Sequence, residues 1–562
     1  MTTTSAPPRR PGQRVLNHIS TTNIKGDLFG GVTAAIVALP LGLAFGVASG
    51  AGASAGLWGA VLVGLFAALF GGTPSLISEP TGPMTVVFTA VIASLTARNP
   101  ENGLAMAFTV VMLAGLLQIV FGFLKLGRYI TQMPYTVISG FMSGIGIILV
   151  VLQIGPFLGQ AIPKGGVMGT LNALPQLIAS ARPSEVILAV ITLAILWLTP
   201  GAVKKIAPPQ LIALVVGTLL SLTLLTGGGE GLRRIGELAS GFPQLRVPYF
   251  ELDDLRIMLV DAAVLGMLGC IDALLTAVIA DSITRTEHDS NKELIGQGLG
   301  NLVSGLFGGL PGAGATMGTV VNIQAGGRSA LSGISRAVIL MLVILAFKDL
   351  ASQIPQAVLA GIALKVGVDI VDWGFLKRAH LISIKGALIM YLVIALTVLV
   401  DLIAAVGIGV FIANILTIDK MSSLQAKSVK SISTGDGDLM LPENERALLD
   451  EGKGKVLLFQ LNGAMIFGVA KAIGREHNAI SDCQAVIFDL SEVSHLGVTA
   501  ALAVENAVEE AIEQGRQVFV VGAAGTTQRR LEKLGLYKKL PPERTNLSRL
   551  DALQHAVSGL TG

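Results

Sequence analysis

Leu306 to Gly333 reads LFGGLPGAGATMGTVVNIQAGGRSALSG, and an earlier stretch, Leu69 to Val87, reads LFGGTPSLISEPTGPMTVV. Both open Leu-Phe-Gly-Gly-x-Pro. Both pass through Gly- and Pro-rich chain that disfavours a helix, and both resume an apolar run through Thr-Val-Val, at Thr85 to Val87 and Thr319 to Val321. The chain therefore contains an internal repeat. In a bilayer, irregular backbone survives only where it is buried in protein or lines a cavity, because each unpaired amide costs several kcal/mol. Two such interruptions at matching places in two repeats point to the central binding site of a transporter.

Working outward, composition sets the class. Hydrophobic residues make up 52% of the 562, charged residues 14%, and mean hydropathy is +0.70, which fits a polytopic membrane protein and not a soluble one. The net charge of +3 says little about partners. Cys270 and Cys483 lack metal-ligand spacing, and the six histidines are scattered, so no disulfide framework, zinc centre or catalytic cluster is expected. Nothing suggests an enzyme or a nucleic-acid binder. The N-terminal MTTTSAPPRRPGQR is a polar tail, not a signal peptide.

Apolar runs fall at roughly 28–50, 55–72, 83–96, 103–124, 134–158, 185–199, 209–226, 257–282, 294–310, 316–325, 333–347, 355–372, 383–399 and 401–418, about fourteen in all, several near the length a helix needs to cross the hydrocarbon core. The runs starting near 83 and 316 are too short to span and suit half-helices preceded by extended chain. An even count returns the C-terminus to the side of the N-terminus. Arg9, Arg10, Arg14, Lys25, Lys125, Arg128, Lys204, Lys205, Arg285, Lys292, Lys377, Arg378, Lys385 and Lys420 then share one side, which the positive-inside rule makes cytoplasmic. Arg233, Arg234, Arg246 and Arg256 break the pattern, falling in a connection that this count places outside.

Beyond about residue 430 the chain reads as a soluble α/β domain. KVLLFQL (Lys455 to Leu461), AVIFDL (Ala485 to Leu490) and QVFVVG (Gln517 to Gly522) are strand-like runs alternating with helical patterns, which implies a helix-covered sheet. The expected division is a tail over 1–26, a transport domain over 27–420, a linker over 421–436 and the soluble domain over 437–562.

The half-helices carry the chemistry. A helix N-terminus presents free N–H donors and about half a positive charge, so half-helices starting near Thr81 and Ala315 can each offer a small anion backbone amides, with a hydroxyl at Thr81. Asp272 lies inside an apolar run, where an unpaired carboxylate costs about 2.5 to 3.5 kcal/mol, so it is expected to be functional. Thr276 shares its helical face, and with Gly314 and Thr316 of the unwound stretch it completes an all-oxygen nest for a hard cation. A cation there cancels the charge of Asp272, which otherwise repels the anion. Glu79 is read as capping its turn or facing the outer cavity, Lys365 and Asp369 as an intrahelical ion pair, and Thr499 as a helix cap.

The repeat, the Asn322-x-x-Ala-Gly-Gly-Arg-x-x-Leu-Ser-Gly333 run, the Pro80-Thr81-Gly82-Pro83 turn and the segment IFDLSEVSHLGVTAAL together resemble the SulP family of anion transporters with a cytoplasmic STAS domain. Within that family the chain is similar to the sodium-dependent bicarbonate transporters. The resemblance implies two inverted seven-segment repeats divided into a core and a gate, the third and tenth segments meeting head to head, and bicarbonate with sodium as cargo. Two departures stand out: Met317-Gly318-Thr319 replaces a Ser-Arg-Thr, leaving no arginine at the anion, and Leu41 follows Pro40 where sulfate-type relatives place glutamine. Proton-coupled or uncoupled carriage of another small anion (sulfate, chloride, a carboxylate) is the alternative, and a membrane sensor with the STAS domain as output is a third reading. A homodimer through the STAS domain, in the cell inner membrane with both termini cytoplasmic, completes the expectation.

Overall fold

The computed structural model describes residues 16–127, 134–204, 207–223, 232–236, 241–346, 348–400, 402–427, 429–434, 441–466, 472, 483–545 and 547–561. The tail basics Arg9, Arg10 and Arg14, with Arg128 and Lys205, lie outside these. The membrane part contains α1 (Ile24–Ala48), α2 (Ala53–Phe70), β1 (Ser78–Glu79), α3 (Gly82–Arg98), α4 (Gly103–Phe123), α5 (Tyr135–Leu152), α6 (Gly166–Ala179), α7 (Pro183–Leu198), α8 (Pro209–Thr223), α9 (Leu255–Thr284), α10 (Ser290–Leu306), β2 (Ala313–Gly314), α11 (Thr316–Gln324), α12 (Ala330–Ala346), α13 (Gln356–Ile370) and α14 (Ile384–Leu399), followed by α15 (Leu402–Lys427). Each of the apolar runs in the sequence is a helix here. Besides short helical turns such as Trp373–Leu376, α6 is a helix that the pattern did not reveal, bent 115° from α7 at the break before Pro183. Among the described residues five helices, including α1, α4 and α9, are long and apolar enough to cross a membrane alone, as befits a multi-pass membrane protein.

Packing reproduces the repeat. The helix α1 packs on α12 as its counterpart α9 packs on α4, and α2 meets α12 as α10 meets α4. A further pair obeys the same rule, α5 against α14 mirroring α13 against α7. The short strands β1 and β2 pair antiparallel, Ser78 opposite Gly314 and Glu79 opposite Ala313, so the Gly- and Pro-rich interruptions satisfy each other's backbone where no helix can.

The soluble part is described separately. Its sheet runs β3 (Val429–Ile432), β4 (Val456–Met465), β5 (Ala485–Leu496), β6 (Gln517–Val521), with β3 antiparallel to β4 and the other pairs parallel. The strand β3 falls inside the stretch read as a linker. Alternation along β4 sends Leu457, Phe459 and Leu461 into one core with Ala500, Val504 and Val508 of α17 (Val498–Glu513) and Leu531 of α18 (Gly525–Leu534). Val456 and Leu458 face Leu449 of α16 (Glu443–Glu451) and Leu553 and Ala556 of α19 (Arg549–Thr561) on the other side. Gly497, not Thr499, holds the cap position of α17, so the threonine hydroxyl is exposed within the first turn.

Candidate anion and cation site

Thr81 caps α3, its Oγ1 accepting at 3.5 Å from the Met84 amide, and Pro83 fills the first turn, where a missing N–H does no harm. The same hydroxyl donates to Oδ2 of Asp272 at 2.8 Å. Both residues are buried. One turn further along α9, Thr276 donates to the Gly314 carbonyl at 2.8 Å and lies 3.0 Å from Oγ1 of Thr316. The residues that the sequence assigns to an anion and to a cation thus share one cluster, joined through the Thr81–Asp272 hydrogen bond.

Ala315 departs from its expectation. Its amide continues the β1–β2 pairing by one residue and donates to the Ile77 carbonyl at 2.8 Å, so it is not available to an anion. The N–H groups of Thr316, Met317 and Gly318 in the first turn of α11, and that of Gly82 in α3, have no acceptor among the described residues. Thr316 and Met317 are exposed, so this helix start faces open space. The cluster sits where the two groups of helices meet: a β-carbon on Gly82 would lie 2.3 Å from Ile370 Cδ1 of α13, and Gln210 of α8 reaches Met317 Sδ at 3.9 Å.

Glu79 neither caps its turn nor faces a cavity. It forms a fully buried ion pair with Arg336 of α12, whose Nη1 also donates to the carbonyls of Ser78 (3.1 Å) and Ala60 (3.2 Å). A side chain at Gly318 would start 3.3 Å from Glu79 Oε1, so the pair lies directly beneath the start of α11. Sequence reasoning passed over Arg336, although an arginine inside an apolar run carries the same signal as Asp272.

A second set was also missed. Glu293, Gln297, Asn301 and Ser304, at spacings of four, four and three, make a buried polar face on α10. Glu293 accepts from the amides of Gly72 (2.9 Å) and Thr73 (2.8 Å), Gln297 donates to Ser78 Oγ (2.6 Å), Asn301 exchanges two bonds with Gly312 (2.8 and 2.9 Å), and Ser304 donates to the Leu310 carbonyl (2.7 Å). This face holds both interruptions. The Asn322–Gly333 run has a structural task as well: Asn322 donates to the Ser75 carbonyl (2.9 Å), and Asp27 of α1 accepts from the amides of Arg328 (2.7 Å) and Ser329 (2.9 Å).

One histidine has a structural task, His288 lying between Asp281 (2.6 Å) and Ser290 (2.9 Å). Because the His288 amide also donates to Asp281, the three residues clamp the turn between α9 and α10. Lys365 and Asp369 form the expected pair along α13.

This arrangement, half-helices started by paired strands between two mirrored sets of helices, is that of a membrane carrier. Residues 24–393 match the model of the sulfate permease family, and residues 448–549 match that of the STAS domain. The chain belongs to the sulfate permease (SulP) family, a family of transporters. It is 69% identical over 547 residues to the bicarbonate transporter BicA of Synechocystis sp., with 97% of each chain covered. The solved transmembrane domain of a cyanobacterium bicarbonate transporter BicA is 71% identical, with a TM-score of 0.67 over 70% of this chain and all of that one. The overall structure of SLC26A9, only 18% identical, gives a TM-score of 0.81 over 97% of this chain and 92% of its own, and shares the fold.

Proposed function

We infer that the chain carries bicarbonate across a membrane by alternating access, coupled to sodium. The reading of the anion is supported by near-full-length similarity to bicarbonate transporters. The single observation that carries the coupling is the 2.8 Å hydrogen bond from Thr81 to Asp272. Sodium bound among Asp272, Thr276, Gly314 and Thr316 occupies the carboxylate that the Thr81 hydroxyl donates to, which frees that donor to turn toward the anion. It also removes the negative charge that opposes anion binding. Bicarbonate then lies between Thr81 and the first-turn amides of α11, beginning just after Ala315. Neutral donors and a helix end suit a carrier, which must release what it binds.

The transport domain is assigned to 27–420 in the cell inner membrane, with both termini cytoplasmic, and the STAS domain pairs two copies as a homodimer. Labelled-bicarbonate uptake into proteoliposomes tests the coupling: uptake should require an inward sodium gradient and fail when choline or potassium replaces it. Uptake driven equally well by a proton gradient without sodium would instead assign Asp272 a proton.

A further inference from the structure

Of the four arginines that broke the charge pattern, Arg233 and Arg234 are committed to structure. Arg233 pairs with Glu185 at 2.9 Å and also donates to the carbonyls of Gln160 and Pro156, and Arg234 reaches Ser221 Oγ and the Gln353 carbonyl. Arg246 differs. Its guanidinium carbon lies 4.9 Å from the centroid of the Phe108 ring, and its side chain has no ion pair or hydrogen bond among the described residues.

Its position is nonetheless fixed. The Arg246 amide donates to the Leu306 carbonyl at 2.7 Å, and the side chain crosses Gly308, where a β-carbon would lie 2.5 Å from Nε and where φ is +67°. Only glycine accommodates both conditions without strain. A guanidinium stacked on a ring uses its face and leaves its in-plane N–H fork free, the geometry that matches a planar carboxylate.

That fork borders a cavity of about 490 Å³ lined by Trp58, Phe108, Phe242, Gln244 and Phe307, at the end of the bundle where the α1–α2 turn, the connection before α9 and the end of α10 converge. The volume is in the range of small-molecule sites. Trp58 and Phe242, with ring centroids 5.9 Å apart and planes tilted by 41°, supply apolar ring surface on two sides of a corner. Phe108 in turn packs against Phe88 of the half-helix α3, ring centroids 5.7 Å apart, so one ring separates the pocket from the helix that Thr81 caps.

We propose that this pocket is a second anion site, separate from the central one, taking a planar monoanion of the carboxylate class: its oxygens lie on the free edge of Arg246 and its planar body in the corner between Trp58 and Phe242. Bicarbonate and small aromatic carboxylates share this chemistry.

Trp58 is a reporter within the site. The full chain carrying Trp197→Phe and Trp373→Phe, both at positions 52% exposed, is reconstituted in nanodiscs and titrated at fixed pH with choline bicarbonate and, separately, choline benzoate. Trp58 emission should change saturably in at least one arm. Arg246→Gln should weaken the response on the order of tenfold or more, and Arg246→Lys by less. Asp272→Asn should leave it intact. Saturation with bicarbonate makes the pocket a station for the substrate, and saturation with benzoate alone makes it a site for an organic anion. Absence of a saturable change in both arms, an equal response in Arg246→Gln, or loss of the response in Asp272→Asn overturns the proposal. Because uptake is not the readout, this result and the sodium test stand or fall independently.

Discussion

Asp272 and Thr81 are joined by one hydrogen bond, and the proposed coupling rests on it. If the carboxylate holds sodium, Asp272→Asn keeps the shape and the bond to Thr81 yet loses the charge, so sodium-driven uptake should disappear while the protein remains folded in the membrane. Uptake with unchanged sodium dependence places the cation elsewhere. Thr81→Val removes one donor at nearly constant volume. The half-saturating bicarbonate concentration should rise about two- to tenfold, the equivalent of one hydrogen bond of about 0.5 to 1.5 kcal/mol, and Thr81→Ser should restore it. A concentration curve unaltered in the valine variant removes Thr81 from the anion.

At the scale of elements, paired strands and a polar helix face hold the half-helices in place. The buried pair Arg336–Glu79 ties β1 to α2 and α12. Removing one partner strands a charge, so Arg336→Met should lower stability by about 3 to 5 kcal/mol, and adding Glu79→Gln should recover part of the loss. Thermal midpoints of the two single variants and the double variant in detergent form the cycle, and strictly additive losses would show that the two residues do not act as a pair. Similarly, Asn301→Leu leaves both backbone groups of Gly312 unpaired, at about 1 to 3 kcal/mol each, and should loosen the start of β2; unchanged hydrogen exchange at Gly312 and Ala313 counts against that clamp. Apolar periodicity and the doubled Leu-Phe-Gly-Gly-x-Pro made the long apolar helices and both interruptions legible, though not α6, because hydrophobic pattern and turn chemistry are local. The partners of Glu79, Thr81 and Ala315 were not legible, since each lies on another element, from Ile77 across the strand pair to Asp272 and Arg336 on distant helices. The α10 face was legible in principle from its spacing, but polar residues in so short a run weaken its apolar signal and draw attention away from it.

For the molecule as a whole, association must come from surface that gains by it. Membrane helices rich in Ala, Gly, Leu and Val gain nothing hydrophobic by meeting in lipid. The STAS domain has such surface in water: Val498 and Leu502, one turn apart on α17, are 63% and 43% exposed. Glu509, Glu510, Glu513, Arg529, Arg530, Lys533 and Lys538 make the rest of its helices a solvated exterior. A symmetric contact through one patch gives a two-fold dimer most simply. A chain ending at Lys427, before β3 begins, should therefore insert as a folded and monomeric membrane domain, while the full chain is a dimer. Val498→Glu with Leu502→Glu should dissociate the full chain without altering its sodium-driven uptake. Light scattering in detergent reads both masses, and a truncated chain that keeps the dimer mass would move the contact into the membrane helices.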